Sequence, residues 1–253
     1  MDSRAVAKAA EALVAARRTL LPINDLPSDA QPEGDSEAYA IQDGVVALLG
    51  EPIAGWKVGA ANPTATPNAA PLLQPLISPS PVRLSHPKSV PVLGIEAELA
   101  FRFAKDLPAR AIPYARDEIA GAIASLHPAI EVVGTRFANR DAVSAAARLA
   151  DFQSNGHFVF GPEIKAWKQV DPTRQAIALE IGGKTVAKTV GGNAAVDLFR
   201  LLIWLVDHAG KRGRGIKAGD VVTTGSCTGI KYARPGDAVR ASFAGLGEVT
   251  VTF

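Results

Sequence analysis

Gly94-Ile95-Glu96-Ala97-Glu98-Leu99-Ala100-Phe101 is the stretch whose reading decides the fold. On a β-strand, side chains alternate between faces, so Ile95, Ala97, Leu99 and Phe101 share one side and Glu96 and Glu98 the other. The apolar set can pack into a core. The two glutamates stand roughly 7 Å apart by the strand rise, close enough to share one hard cation. A second apolar strand candidate, Ala129-Ile130-Glu131-Val132-Val133, carries Glu131 among aliphatic residues. A carboxylate is costly to bury unless its charge is compensated. Three glutamates on two otherwise apolar strands therefore suggest an oxygen-ligand site for Mg²⁺ or Mn²⁺. The competing reading puts Glu96 and Glu98 on the solvated face of an antiparallel strand. It suits Glu131 less well, because that residue has apolar neighbours on both sides.

The rest of the composition narrows the class. The 253 residues are 47% hydrophobic and 21% charged, enough to build a real core as one large or two modest domains. Lys+Arg 27 against Asp+Glu 25 leaves +2 with no block of like charge, so nothing argues for a nucleic-acid or membrane partner. The basic pairs Arg17-Arg18 and Lys211-Arg212-Gly213-Arg214 read as solvated turns. A single cysteine, Cys227, excludes an internal disulfide framework and fits a reducing compartment. No apolar run approaches bilayer length, and Asp2 and Glu11 within a helical pattern are unlike a signal peptide. The expectation is a cytoplasmic protein.

The pattern from Ser3 to Leu20 predicts an amphipathic helix, with Val6, Ala9, Ala10, Leu13 and Val14 on one stripe. Asp35 and Ser36 are candidate caps of a second helix running to Leu49, with Gly50 past its end. Ile53 to Gly59 reads as a short strand. Lys57 within it is either a solvent-facing residue or a desolvated, reactive ammonium. Seven prolines between Pro63 and Pro87 rule out a helix or a central strand and predict an extended connection. Strands are expected from about Val90. The domain boundary is therefore placed between a helical, Pro-rich 1–85 and a β-rich catalytic 86–253.

Further along, Arg116 to Leu126 predicts a helix stopped by His127-Pro128, with His127 near its last carbonyls. Asp151 to Gly156 has loop composition, Phe158 to Phe160 strand composition, and 176–190 reads as a hairpin turning at Gly182-Gly183. Asp197 to His208 is the most hydrophobic helix. Many short strands with few long helices indicate an α+β body. Dinucleotide, phosphate-loop and nucleophile-elbow motifs are missing, and the four histidines lack zinc spacing. A Cys227–His157 pair has no support in the sequence pattern.

Gly55-Trp56-Lys57-Val58-Gly59, Gly94 to Phe101, Ile130-Glu131-Val132-Val133-Gly134-Thr135-Arg136, Gly219-Asp220-Val221-Val222-Thr223-Thr224-Gly225-Ser226 and Pro235-Gly236-Asp237 follow in a characteristic order. In this the chain resembles the fumarylacetoacetate hydrolase superfamily. The closer likeness is to its 2-keto-4-pentenoate hydratase and 4-oxalocrotonate decarboxylase branch. It runs from the Tyr39-x-x-Gln42 helix to the C-terminal strand, and the Glu-x-Glu strand with the later Glu is its most specific part.

The resemblance implies a mixed β-sandwich roll with a small helical N-terminal portion, assembled as a homo-oligomer, dimer or larger ring. It implies a divalent cation, Mg²⁺ or Mn²⁺, on Glu96, Glu98 and Glu131, with Lys57 as the polar catalytic group. Ser154 and Ser226 would bind substrate oxygens. The implied activity is a metal-dependent lyase of aromatic-compound catabolism, hydrating a 2-hydroxydienoate or 2-oxo-4-enoate, with a small 2-oxo acid as substrate. Alternatives within the superfamily are decarboxylation of a 4-oxalocrotonate-type acid and C–C hydrolysis of an acylpyruvate. Another class is a non-catalytic subunit that stabilises a sister hydratase or decarboxylase in a mixed assembly. Two departures stand out. Leu72-Leu73-Gln74-Pro75-Leu76 replaces an Asp-x-Gly-x-Leu-like segment of the hydratases, and Phe152 follows Asp151 where an Ala-Asp-Asn run is expected. Both make the pocket more apolar. The C–C hydrolases use a His-Glu pair on an N-terminal segment, and this chain has no His before His86.

Overall fold

The computed structural model describes residues 1–85 and 93–253. Helices α1 (Ser3–Thr19) and α2 (Asp35–Leu49) open the chain. Asp2 caps α1 by accepting the Ala5 N–H at 2.8 Å. The cap of α2 is Gly34 rather than Asp35 or Ser36. Asp35 and Glu37 sit instead in its first turn, where the helix dipole favours them, and Gly50 ends it at φ 69°. The apolar stripes of the two helices, Ala9, Leu13, Ile41 and Val45, bury together against Phe137, Leu149 and Phe152.

Then come strands β1 (Ile53–Gly59), β2 (Asn68–Leu73), β3 (Ile77–Pro79), β4 (Val82–Arg83) and β5 (Leu93–Phe103). A short helix α3 (Arg116–Ala120), β6 (Ile123–Val133), α4 (Ala145–Ala150) and β7 (Asn155–Phe160) follow. The chain closes with β8 (Ala176–Ile181), β9 (Lys184–Val190), α5 (Leu198–Lys211), β10 (Val221–Ser226), β11 (Lys231–Ala233), β12 (Ala238–Phe243) and β13 (Gly247–Thr252).

Among the described residues these strands form two mixed sheets. The larger runs β2-β1-β10-β5-β6-β7-β3, with β11 also on β5, and the smaller runs β4-β13-β12-β8-β9. This is the α+β, two-sheet architecture the resemblance implied. Ile95, Leu99, Phe101, Ile130 and Val132 pack in one buried cluster with Leu179, Val239 and Phe243 of the smaller sheet and Leu201 and Leu205 of α5. The acidic face of β5 turns the other way.

Four details depart from the sequence reading. The Pro-rich segment contributes strands as well as connection: Pro71 lies in β2 and Pro79 in β3, the two edges of the larger sheet, where a missing N–H interrupts no ladder. The helix expected over 116–126 stops at Ala120, and Ile123 already pairs with Phe103 of β5. The short apolar run there suits either state locally, and the ladder to β5 decides it. His127 accordingly lies on β6 opposite Ala100, bonded to Ser125 Oγ and the Gly161 carbonyl, each at 3.0 Å. Pro128, read as a stop, remains inside β6 opposite Leu99.

The basic stretches are solvated turns only in part: Arg18 and Lys211 are exposed and the chain turns at Arg212-Gly213, but three arginines are paired. Arg17 is 89% covered and lies over the Phe152 ring beside Asp151. Arg212 pairs with Asp43, and Arg214 with Asp220. An Arg stem covers apolar surface while its guanidinium finds a carboxylate. The expected onset of strands at Val90 and the start of the second domain at residue 86 lie outside the described residues. Across that division β1 of the N-terminal part hydrogen-bonds to β10, Gly55 facing Val221.

Candidate functional site

Antiparallel pairing sets Glu96 of β5 directly opposite Glu131 of β6, and Glu98 lies two residues along the same face of β5. One carboxylate oxygen from each of the three lies within 4.8 Å of the others. Glu98 and Glu131 are each 1% exposed and Glu96 is half-buried, so the solvated-face reading fails at Glu98 and holds at most in part at Glu96. Lys57 reaches the same place from β1, its Nζ donating to Glu131 Oε1 at 2.5 Å and to the Gln153 carbonyl at 3.2 Å. β1 comes this close because Gly55 has no side chain: a Cβ there would meet the Val221 carbonyl oxygen of β10 at 2.2 Å.

Donors orient the carboxylates. Glu98 Oε2 accepts from the Thr223 hydroxyl and from the Gly225 N–H, the latter at 3.2 Å. Gly225 adopts φ 91°, a left-handed conformation that glycine takes without strain. Asn155 Nδ2 donates to Glu131 Oε1 at 2.8 Å, and the Ser226 side chain bonds to Glu96. Glu131 Oε2 is buried with no hydrogen-bond partner among the described residues.

Burial pushes the Glu98 carboxyl up to about 8, with repulsion from Glu131 and Glu96 adding to it. Burial and then Glu131 raise Glu96 as well, against the opposing pull of Lys57, Ser226 and Arg140. One ammonium among three crowded carboxylates leaves negative charge unbalanced. An all-oxygen donor set with an orphaned buried oxygen fits a hard divalent cation, and the structure thus brings together the four residues expected to hold one and act beside it.

The two serines part company. Ser226 is placed against Glu96, as described. Ser154 is fully buried, and its Oγ accepts from Arg140 Nε at 3.2 Å, so it faces a guanidinium rather than the carboxylates. Phe152, Gln153 and Ser154 all have left-handed backbones, at φ 54°, 52° and 60°. Non-glycine residues resist this conformation, and it persists only where neighbours enforce it. The enforcing group is Asp151, whose buried carboxylate takes the Arg136 guanidinium, the Arg136 N–H at 3.0 Å and the Thr135 hydroxyl at 3.1 Å. That turn aims the Gln153 carbonyl at Lys57.

Asn155, Thr223 and Arg140 were not singled out as site residues from sequence. Asn155 falls within the 151–156 loop and Thr223 within the 219–226 segment, and no spacing ties them or Arg140 to the glutamates. Cys227 is no nucleophile. Burial, then Glu98, pushes its thiol up to about 12, while His157 bonds to Ser78 Oγ at 2.9 Å. The carboxylates, Lys57, Arg140 and Gln153 line a cavity of about 180 Å³. A larger cavity of about 500 Å³ is lined by Arg17, Leu73, Leu76 and Val132. Val132 is on the opposite face of β6 from Glu131, so this second space does not reach the acidic cluster.

Residues 62–253 match the family described as fumarylacetoacetate (FAA) hydrolase C-terminal. The chain belongs to the fumarylacetoacetate hydrolase family. It is 29% identical over 253 aligned positions to a 2-keto-4-pentenoate hydratase of Paraburkholderia phymatum, a match covering 94% of this chain and 92% of that protein. It is 31% identical over 159 positions to the TodF product hydratase of Pseudomonas putida, covering 63% of this chain but only 58% of that protein. Among solved structures, the 4-oxalocrotonate decarboxylase of Pseudomonas putida G7, complexed with magnesium and adipate, superposes with a TM-score of 0.86. That likeness covers 100% of this chain and 98% of the decarboxylase at 22% identity, and shows a shared fold.

Proposed function

We propose that the protein is a metal-dependent lyase of the 2-keto-4-pentenoate hydratase type, acting on a 2-hydroxydienoate or its 2-oxo-4-enoate tautomer in aromatic-compound catabolism. The observation that carries this reading is the convergence of three carboxylates within 4.8 Å beside an ammonium. Glu96, Glu98 and Glu131 would hold a divalent cation, Mg²⁺ or Mn²⁺. When bound, the ion supplies Lewis-acid polarisation of a keto oxygen and offsets the charge of an enolate. Lys57 Nζ, held between Glu131 Oε1 and the Gln153 carbonyl, would deliver a proton to carbon or orient water. Thr223 and the Gly225 N–H keep Glu98 turned inward, and Asn155 does the same for Glu131. Leu72, Ala129 and Phe158 form an apolar cluster on the same face, which limits water near the carboxylates.

That apolar wall favours a second reading, decarboxylation of a 4-oxalocrotonate-type acid. Adding water to a double bond calls for a base to activate it, whereas losing CO₂ needs only the enolate stabilised and a proton returned to carbon. Leu72 is fully buried, in the segment that the resemblance sets against an acid-bearing one of the hydratases. A homo-oligomeric, cytoplasmic enzyme belongs to the same proposal. The buried free thiol of Cys227 suits a reducing compartment.

The test is turnover of 2-hydroxypenta-2,4-dienoate with Mg²⁺ and in EDTA, with product analysis for 4-hydroxy-2-oxo acid. A parallel assay with the six-carbon diacid follows CO₂. Glu98→Ala should abolish Mg²⁺ and Mn²⁺ binding while the chain stays folded. Full activity in EDTA overturns the mechanism, and a folded, cation-loaded protein inert on both substrates supports a non-catalytic role.

A further inference from the structure

The cavity above the carboxylates carries one charge that neither ligates the cation nor transfers the proton. Arg140 lines it and pulls on Glu96 through space, yet among the described residues no carboxylate of the cavity pairs with it directly. Its Nε donates to the buried Ser154 Oγ at 3.2 Å. Among the described residues its one carboxylate partner is Asp141, at 3.5 Å from Nη1 and 87% exposed, a contact worth little in water. The outer face of the guanidinium is therefore open to an acceptor in the cavity.

Depth tells which end of a ligand would meet it. Glu98 and Glu131 are each 1% exposed and form the floor. Lys57 is 15% exposed, and Arg140, at 40%, stands at the rim. On the functional reading given above, a 2-oxo acid sits with its keto and carboxylate oxygens at the floor, so its tail points toward the rim. Val133 and Ile230 line the same cavity, so its apolar surface suits the carbon chain between the two ends.

We propose that Arg140 is a specificity-determining residue that binds a second carboxylate at the far end of the substrate, so that the preferred ligand is a dicarboxylic 2-oxo acid. A guanidinium presents two parallel N–H donors that match a carboxylate. Ser154 is its positioning residue. The enforced left-handed turn holds the hydroxyl under Nε, so the Nη groups are aimed before ligand arrives, and this accounts for a buried serine that touches none of the three glutamates. The inference rests on the proposed 2-oxo acid site and divides the two reactions considered there, because a neutral-tailed dienoate has nothing to offer Arg140.

The experiment is calorimetric binding of two probes to the Mg²⁺-loaded protein, 2-oxoadipate with a distal carboxylate and 2-oxohexanoate without one. The wild type should bind the diacid at least about ten-fold more tightly, the range of one charge-assisted contact at a partly exposed site. Arg140→Gln should remove that preference while 2-oxohexanoate binding stays within about two-fold. Arg140→Lys should restore part of it, and Ser154→Ala should lose part of it with the charge still present. Equal binding of both probes by the wild type overturns the inference and leaves the 2-oxo acid site standing. An equal loss of both probes in Arg140→Gln also overturns it, since Arg140 would then grip the carboxylate common to both. If neither probe binds the loaded wild type, the 2-oxo acid reading itself fails. Circular dichroism and melting of Arg140→Gln, a rim substitution, should match the wild type, so a binding change reports the contact and not the fold.

Discussion

Glu98→Gln separates the role of charge from the role of shape in the acidic cluster. Thr223 and the Gly225 N–H both donate to one oxygen, Glu98 Oε2, so an amide with its carbonyl at that position keeps both bonds. What changes is one negative charge within 4.8 Å of two others. At an effective dielectric constant of about 20, two unit charges at that distance repel by about 3.5 kcal/mol. Because burial already holds the Glu98 carboxyl largely protonated near neutral pH, only a part of this is present without a cation, on the order of 1 kcal/mol. In EDTA the variant should therefore melt about 2–4 °C above the wild type, at the rate expected for a domain of this size. With Mg²⁺ at about a hundred times its dissociation constant, the wild type should gain about 2.7 kcal/mol, or about 5–10 °C. The variant should gain almost nothing. Scanning calorimetry in EDTA and in Mg²⁺ reads all four melting points. The reasoning is refuted if the wild type shows no Mg²⁺ or Mn²⁺ shift, if the variant shows the full shift, or if the variant loses several degrees in EDTA.

Three further outcomes follow from the packing around the site. Asp151→Asn leaves Arg136 and Arg17 with no full negative charge beside them, and losing one member of a buried pair costs about 3–5 kcal/mol. Thermal melting should fall by about 6–20 °C, and the relaxed 152–154 turn should weaken cation binding in the same sample; a loss below about 1 kcal/mol would mean that Asp151 does not hold the turn. Leu99→Ala, at a fully buried position on the apolar face of β5, should lose about 2–5 kcal/mol in urea titration while retaining Mg²⁺ affinity, because the glutamates occupy the other face. Burial holds His157 and His208 down to about 4, below the ordinary 6.5, with Arg212 adding to the effect at His208. The unfolded chain takes up protons that the folded chain refuses. Stability is thus complete above pH 6.5 and is lost as pH falls toward 4, by on the order of 1–2 kcal/mol per histidine after allowance for partial exposure. Denaturant midpoints between pH 7 and 4 should show the slope, and His208→Asn should flatten it.

The sequence by itself determined which residues would share a face. Side-chain alternation is a property of the strand backbone, so Glu96 and Glu98 against Ile95, Ala97 and Leu99 could be read off one stretch of β5. The isolation of Glu131 among aliphatic residues already required a compensating charge. The order of the quoted segments was enough to identify the family and its two-sheet architecture. The ends of the first two helices, at Thr19 and Leu49, were legible to within a residue because caps and periodicity are local, whereas the last helix runs to Lys211, past the His208 expected.

Only the tertiary structure decided what those faces meet. Glu96 stands against Glu131 because β5 and β6 pair in one register, and a shift by a single residue would turn Glu131 toward the other sheet. The same ladder drew Ile123 to Leu126 out of the helix their pattern allowed. Lys57 arrives across β10 through a close approach that only a glycine permits. Arg140 and Asn155 arrive through chain reversals around Asp151, whose ion pair with Arg136 enforces backbone angles that no local preference favours. Periodicity is written into a few consecutive residues. Register, strand adjacency and the partner of a buried charge are set by contacts between segments far apart in the chain, and become definite only when the core closes.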